Sequence, residues 1–221
     1  MPGITCKVYT SIFFDDFKQM EFEFENGLKD YSDHYEIRYD LFKCHTTANL
    51  RKILEYLNTN SIDYIFTFRS GKIQEINKIY STAMNYSPPI VDVDIKSFQF
   101  RRDFFSKTNL MVSYHGANKD NVRFLLRDIS QFTPDIYKIA IAYTDKEKFL
   151  DDMAYLYHYK TENNVKLAYI PMGENNGFLR LVSAGIVSDY AYASYKGKTA
   201  PGQIETTEFI SLMNRFKEKY E

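Results

Sequence analysis

The feature that most constrains the fold is an alternation of short apolar segments with longer amphipathic ones along the whole chain. Each short segment is rich in β-branched or aromatic residues, and the segment after it carries apolar residues at helical spacing. This alternation is typical of βα units that build a parallel sheet. Eight strands are predicted, at residues 4–12, 34–40, 63–69, 89–95, 109–115, 136–142, 166–172 and 189–195.

The segments between the predicted strands have the pattern of amphipathic helices, one in each gap. In residues 47–58, for example, Leu50, Ile53, Leu54 and Leu57 fall on one helical face. Eight strands, each followed by a helix, predict a compact α/β fold, the (β/α)8 TIM barrel, and 221 residues suit a single TIM-barrel domain over 1–221. The alternative is an open doubly wound sheet, which normally has fewer strands and a glycine-rich first turn that this sequence lacks.

Charge and cysteine content exclude several classes of protein. The chain has 28 Lys and Arg against 29 Asp and Glu, so it has no basic field for a nucleic acid. Cys6 and Cys44 form no Cys-x-x-Cys pair, which argues against a zinc knuckle or a disulfide framework. No segment reaches the roughly 18 apolar residues of a membrane span. We expect a cytoplasmic protein without metal, cofactor, nucleic acid or membrane partner.

Polar residues near the predicted strand ends are candidates for a functional site, because TIM barrels place their active sites at the C-terminal ends of the strands. These residues are Glu36, Arg38, Asp40, Arg69, Asp92, Asp94 and His115. Lys138 is different, since it lies within the apolar run YKIAIA. Burying an ammonium group is costly unless it is paired or neutral. Lys138 is therefore either a reactive amine or a structural ion-pair partner of Glu36 or Asp94.

Several short motifs occur in order along the chain and fall near predicted strand ends: EIRYD, FTFRS, SYHG, YKIAI, a Met172-x7-Arg180 spacing and the loop TAPGQI. Together they resemble the motifs of the type I 3-dehydroquinate dehydratase family. The resemblance covers nearly the whole chain. It implies a TIM-barrel lyase of the shikimate pathway that converts 3-dehydroquinate to 3-dehydroshikimate, and it implies a homodimer.

The resemblance also implies which residues carry the chemistry. Lys138 would form a Schiff base with the substrate, and His115 would act as general acid and base. A protonated imine is a better electron sink than a ketone, and a histidine with an ordinary pKa of about 6.5 can exchange protons near neutrality. Where the family usually has a glutamate that orients the histidine, this chain has Asp94, and Asp92 is the alternative.

Seven further residues are implied to bind the substrate: Glu36, Arg38, Arg69, Met172, Arg180, Thr199 and Gln203. Arg180 would hold the substrate carboxylate, because a guanidinium offers a planar fork. Arg38 and Arg69 have a second interpretation, in which they only tie strands together. The loop around TAPGQ would close over the ring, with Gly197 and Gly202 as possible hinges.

Two other functions remain open from the sequence. One is a different Schiff-base lyase or aldolase on the same barrel, since a fold does not fix a function. The other is a catalytically weak homologue that only binds a ligand.

Overall fold

The computed structural model describes residues 6–220, and eight parallel strands form one sheet in them, in the order β7-β6-β5-β4-β3-β2-β1-β8. The strands are β1 Lys7–Ile12, β2 His34–Arg38, β3 Asp63–Thr67, β4 Ile90–Asp94, β5 Asn109–Ala117, β6 Ile136–Ala142, β7 Lys166–Met172 and β8 Tyr190–Ser194. The predicted TIM barrel is confirmed. Positions 4 and 5 of the first predicted strand lie outside the described residues, and the single domain over 1–221 stays a prediction.

Seven α-helices accompany the strands within residues 6–220: α1 Phe17–Glu25, α2 Thr47–Thr59, α3 Ile73–Met84, α4 Val122–Ser130, α5 Lys146–Asn163, α6 Gly177–Ile186 and α7 Thr206–Tyr220. The prediction of one helix in every gap is wrong between β4 and β5, where the chain forms only two 3-10 turns, Ile95–Ser97 and Arg102–Phe105. Aromatic side chains cover the sheet there instead. Phe98 packs on Phe132 at 4.3 Å between ring centroids, and Phe100 stacks on Phe104 at 4.8 Å.

Local sequence explains where several helices begin and which face they bury. The Thr46 side chain accepts a hydrogen bond from the backbone N–H of Asn49, which caps α2. The predicted apolar face of α2 is fully buried against the barrel. No helix within residues 6–220 has both the length and the apolar character needed to cross a bilayer.

Strands β7 and β8 stand at the two ends of the sheet order, and side chains bridge the seam between them. The Asp189 carboxylate accepts from the backbone N–H of Leu167 at 2.8 Å, while the Leu167 carbonyl accepts from the Asp189 N–H at 2.7 Å. The Ser188 hydroxyl accepts from the Tyr169 N–H at 2.9 Å and donates to the Tyr169 carbonyl at 3.0 Å. The barrel is therefore nearly closed.

The barrel interior has two distinct levels, because alternate residues of each strand point inward. Toward the N-terminal ends the inward side chains form an apolar layer that includes Tyr9, Ile65, Ile90, Met111, Ile136, Ala168 and Tyr190. Two residues further along six of the strands, β1 to β6, the inward positions are polar or charged and buried: Ser11, Glu36, Thr67, Asp92, Ser113 and Lys138. The fold thus places its buried charges toward the C-terminal mouth.

Candidate active site

Lys138 lies at the centre of this polar level, on the inward face of β6. Only 2% of the residue is exposed. Its Nζ lies 2.8 Å from Asp92 Oδ2 and 3.3 Å from Glu36 Oε1. Of the two ion-pair partners considered from the sequence, Glu36 contacts the lysine and Asp94 is replaced by Asp92. The pairing explains how an ammonium group is tolerated inside an apolar barrel.

The two carboxylates beside Lys138 are held in the ionised state. Burial by itself raises the pKa of Glu36, but the positive charges of Lys138, Arg38 and Arg69 outweigh it and hold that pKa below its ordinary value. Glu36 also accepts hydrogen bonds from the Ser11 hydroxyl at 2.6 Å and the Thr67 hydroxyl at 3.1 Å. The pKa of Asp92 is lowered in the same way, with burial opposed by Lys138 and Arg69.

His115 and Asp94 form a separate pair at the mouth of the barrel. His115 Nδ1 lies 2.9 Å from Asp94 Oδ2, so the shorter side chain still makes a direct contact. The other oxygen, Asp94 Oδ1, accepts from the backbone N–H of Lys96 at 2.9 Å, which fixes the carboxylate. Of the two acids considered from the sequence, Asp94 contacts the histidine. Asp92 contacts the lysine instead.

The protonation of this pair follows from its surroundings. Burial is the largest influence on His115 and lowers its pKa below 6.5, although the hydrogen bond with Asp94 acts in the opposite direction. Burial raises the pKa of Asp94, but the hydrogen bonds from His115 and Lys96 outweigh it and lower that pKa overall. A carboxylate can only accept, so we assign the imidazole proton to Nδ1. His115 is thus a neutral imidazole at pH 7 with a basic Nε2.

Two arginines approach the site from different elements and have different partners. Arg38 Nε and one terminal nitrogen donate to the two oxygens of Asp40 at 3.0 and 2.7 Å, and the other terminal nitrogen lies 3.4 Å from the Thr199 carbonyl. Arg180 on α6 donates to the Pro201 carbonyl at 2.8 Å. Its Nε is buried and has no partner among the described residues. Burial lowers the pKa of Arg180 to about 10.

Arg69 completes the charged residues of the site and differs from the other two arginines in being accessible. About 30% of its side chain is exposed, and a terminal nitrogen lies 3.6 Å from Asp92 Oδ2. Its Nε, like that of Arg180, is buried without a partner among the described residues. Both guanidinium groups therefore retain donors for an anionic or hydroxyl ligand.

The loop of residues 195–203 contacts Arg38 and Arg180 and is held in place by Gln203. The Gln203 side-chain oxygen accepts from the Thr199 N–H at 2.7 Å, the Thr199 hydroxyl at 3.0 Å and the Ala200 N–H at 3.1 Å. Gly202 has a φ of 73°, and a Cβ there would lie 2.1 Å from the Gly173 carbonyl oxygen, so the position requires glycine. Gly197 has no such constraint; Lys196 adopts the left-handed conformation instead, with a φ of 47°.

These side chains enclose a cavity of about 60 Å³. Nine of the ten predicted site residues line it: Glu36, Arg38, Arg69, His115, Lys138, Met172, Arg180, Thr199 and Gln203. Asp94 contacts His115 and is not among the lining residues. The sequence reasoning missed Tyr192, which also lines the cavity, and the alternation of inward residues along β8 is the signal that would have found it.

The arrangement is that of an enzyme site of the TIM-barrel class. It consists of a buried lysine between two carboxylates, a neutral histidine and partly unpartnered arginines, all at the C-terminal mouth.

The family model described as Type I 3-dehydroquinase matches residues 8–219, and the chain belongs to that family. A 3-dehydroquinate dehydratase of Thermoplasma volcanium is 35% identical, over 95% of this chain and 89% of the relative. One of Thermoplasma acidophilum is 29% identical, over 89% and 84%. The crystal structure of 3-dehydroquinate dehydratase from Geobacillus kaustophilus superposes with a TM-score of 0.86 at 19% identity, covering 98% of this chain and 93% of that one.

Proposed function

We propose that this chain dehydrates 3-dehydroquinate to 3-dehydroshikimate in the shikimate pathway, through a Schiff base on Lys138 and proton transfer by His115. The family match and the names of the Thermoplasma relatives support the substrate. The observation that carries the mechanism is the position of Lys138, which is buried, ion-paired and still on the wall of the cavity.

The first step is condensation of the lysine with the substrate ketone. The ammonium of Lys138 must first give up a proton, and Asp92 Oδ2 at 2.8 Å is the nearest acceptor. The amine nitrogen then bonds to the carbonyl carbon, the carbonyl oxygen leaves as water, and the transferred proton is used in forming that water. An ammonium and a ketone thus give one protonated imine and one water, with the charge conserved.

The second step is the elimination, and it uses His115 twice. Nε2 of the neutral imidazole accepts a proton from the carbon beside the imine. The electron pair of that C–H bond forms a C=C bond to the imine carbon while the C=N π pair moves onto the nitrogen, which gives a neutral enamine. The imidazolium then donates its proton to the leaving hydroxyl, which departs as water while the enamine electrons restore the imine. Hydrolysis of the imine releases the enone and Lys138.

Substrate entry requires the loop of residues 195–203 to move. The present cavity of about 60 Å³ is far below the roughly 300 Å³ at which ligand pockets begin. The Pro201 carbonyl also occupies a donor of Arg180 that a substrate carboxylate would use. We propose that the carboxylate replaces this carbonyl as the partner of Arg180 when the loop opens and closes again around the ring.

Borohydride reduction in the presence of 3-dehydroquinate tests the proposal. Intact mass and peptide mapping should show one reduced adduct, located on Lys138, and Lys138→Ala should show none. Lys119→Ala is the matched control, because Lys119 is exposed in the loop after β5 and should leave the adduct at the wild-type level. An adduct on another lysine, or full turnover by Lys138→Ala, would overturn the mechanism.

The homodimer and the cytoplasmic location stay predictions. The cavity-lining residues named above all belong to one chain. Size-exclusion chromatography with light scattering measures the oligomeric state directly.

A further inference from the structure

Tyr192 lies directly against the amine of Lys138. It is the middle residue of β8, and only 4% of it is exposed. The centroid of its ring is 3.9 Å from Lys138 Nζ, well inside the roughly 6 Å over which an aromatic face attracts a cation. The Tyr192 hydroxyl donates to Met111 Sδ at 3.2 Å, which fixes the ring in the barrel.

The ring and the two carboxylates leave the amine little freedom. An ammonium group has three N–H donors, and Asp92 and Glu36 each lie within hydrogen-bonding distance of the nitrogen. The ring face of Tyr192 is the third close neighbour. Burial, together with the charges of Glu36 and Asp92, raises the pKa of Tyr192 well above its ordinary value, so the residue offers a neutral ring.

The positive charge on the Lys138 nitrogen persists when the amine becomes a protonated imine. The ammonium has three N–H donors for its partners and the protonated imine has only one, so the imine depends more than the resting ammonium on the ring face of Tyr192. An aliphatic side chain in place of Tyr192 would exclude water equally but would lack the negative face of an aromatic ring. The ring occupies one side of the nitrogen, and both residues line the cavity that the carbonyl carbon must enter.

We propose that Tyr192 is a positioning residue for the Schiff-base step, whose ring face holds the Lys138 nitrogen and stabilises the protonated imine. This inference rests on the proposed function, because it assumes that Lys138 forms the imine. The rival interpretation is that Tyr192 only fills the barrel.

Replacing Tyr190 is a matched control that tests whether Tyr192 only fills the barrel. It lies two residues earlier on the same strand, is 6% exposed, and belongs to the apolar layer, where its ring centroid is 5.9 Å from that of Tyr9. Tyr190→Leu removes a ring of the same size from the same strand, one level away from the amine.

The experiment measures the fraction of enzyme trapped by borohydride at saturating 3-dehydroquinate, together with kcat, KM and the thermal unfolding temperature. Tyr192→Leu should lower the trapped fraction and kcat by roughly 2- to 30-fold, the range spanned by exposed and desolvated cation–π contacts. Tyr192→Phe should restore most of both, because it keeps the ring. Tyr190→Leu should lower the unfolding temperature while its trapped fraction stays at the wild-type level.

A series of fluorinated phenylalanines at position 192 keeps the inference testable even where Tyr192→Leu does not fold. Successive fluorine atoms weaken the negative ring face at nearly constant size, so the trapped fraction should fall with each one. A flat series, or an equal loss in Tyr190→Leu, would overturn the role of Tyr192 while leaving Lys138 trapping intact. Wild-type enzyme without any Lys138 adduct would overturn the proposed function, and this inference with it.

Discussion

Residues 6–220 contain two histidine–aspartate pairs with nearly the same Nδ1–Oδ2 distance, at opposite ends of one barrel. His115 Nδ1 lies 2.9 Å from Asp94 Oδ2 at the C-terminal mouth, and His34 Nδ1 lies 2.8 Å from Asp63 Oδ2 at the N-terminal end. Their side chains are about equally accessible, at 21% and 25% for the two histidines. The spacing of a His–Asp pair therefore does not distinguish a catalytic pair from a structural one.

The difference lies in what surrounds each pair. Asp63 Oδ2 also lies 3.3 Å from Lys7 Nζ and accepts from the Tyr9 hydroxyl at 3.4 Å, and the Tyr9 ring stacks on His34. The Asp63 carboxylate on β3 therefore links side chains of β1 and β2. Asp94, by contrast, contacts His115 and its own turn, and His115 opens onto the cavity that contains Lys138. The catalytic role is therefore proposed for the His115 pair because of its location in the barrel and the neighbours that this location gives it.

Replacing each of the two histidines in turn should give the largest difference in kcat between the two pairs. His115→Ala should lower kcat by about 10²- to 10⁴-fold, the usual contribution of a general acid or base. Borohydride trapping at Lys138 should persist or increase in that variant, because the imine forms but is not processed. His34→Ala should keep kcat within a few-fold of wild type and lower the unfolding temperature. Comparable losses of kcat in the two variants would contradict the assignment.

Arg180, the proposed partner of the substrate carboxylate, also lies at the mouth, and its replacement should have the next largest effect. Arg180→Lys should raise KM about 10- to 100-fold with a smaller change in kcat. The planar guanidinium can make roughly two charged hydrogen bonds to a carboxylate, whereas a lysine ammonium acts as a point charge. Arg102→Lys is the control, since that arginine pairs with Asp135 at 2.6 Å on the surface. Unchanged steady-state kinetics in Arg180→Lys would remove this residue from the substrate site.

Replacing Asp94 should shift the pH dependence of kcat/KM, in a direction set by its contact with His115. Its hydrogen bond raises the pKa of His115, which burial otherwise lowers. Asp94→Asn should therefore move the acid limb of kcat/KM to lower pH, while kcat falls about tenfold from the loss of orientation. An acid limb that stays in place would show that Asp94 does not act through His115.

Asp94→Glu then asks whether the pocket has adapted to the shorter acid. The present contact is direct, and the carboxylate is fixed by the Lys96 N–H. An added methylene must displace one of these contacts in a packed site, so we expect a modest loss of kcat. A gain in kcat would show instead that the aspartate is a suboptimal replacement. Asp63→Glu is the matched control at the other end and should leave kcat unchanged.

Local patterns in the sequence predicted the barrel and the candidate residues near the strand ends, and the family resemblance added Met172, Arg180, Thr199 and Gln203. Alternation fixed the number of strands, and the bounds 136–142 and 166–172 agree with β6 and β7 of the structure. Lys138 was recognisable because a lysine in an apolar strand violates the local pattern. The resemblance then supplied the roles of residues that pattern alone leaves ambiguous.

What the sequence did not predict depends on contacts between distant segments. Glu36 and Lys138 are 102 residues apart in the chain, and only closure of the barrel brings them together with Asp92. Tyr192 gained its position by the same closure. The absence of a helix between β4 and β5 has a different cause. Aromatic residues in this segment cover the sheet by packing their rings against other rings, and a helical spacing pattern cannot reveal such packing.

The smallest effect concerns stability at the N-terminal end and follows from Asp63. Hydrogen bonding from His34, with further help from Lys7, holds the pKa of Asp63 below its ordinary value despite partial burial. A depressed carboxyl pKa stabilises the fold above the pKa of the unfolded chain, about 3.9, and that stabilisation is lost as pH falls through the lower folded value. Asp63→Asn should therefore lower the unfolding temperature at pH 7 by a few degrees, and the difference from wild type should shrink below about pH 4. At every pH tested, kcat/KM of Asp63→Asn should match that of wild type, because Asp63 and His34 do not reach the cavity. A changed acid limb in Asp63→Asn would mean that the two ends of the barrel are coupled, and the structural assignment of the lower pair would fail.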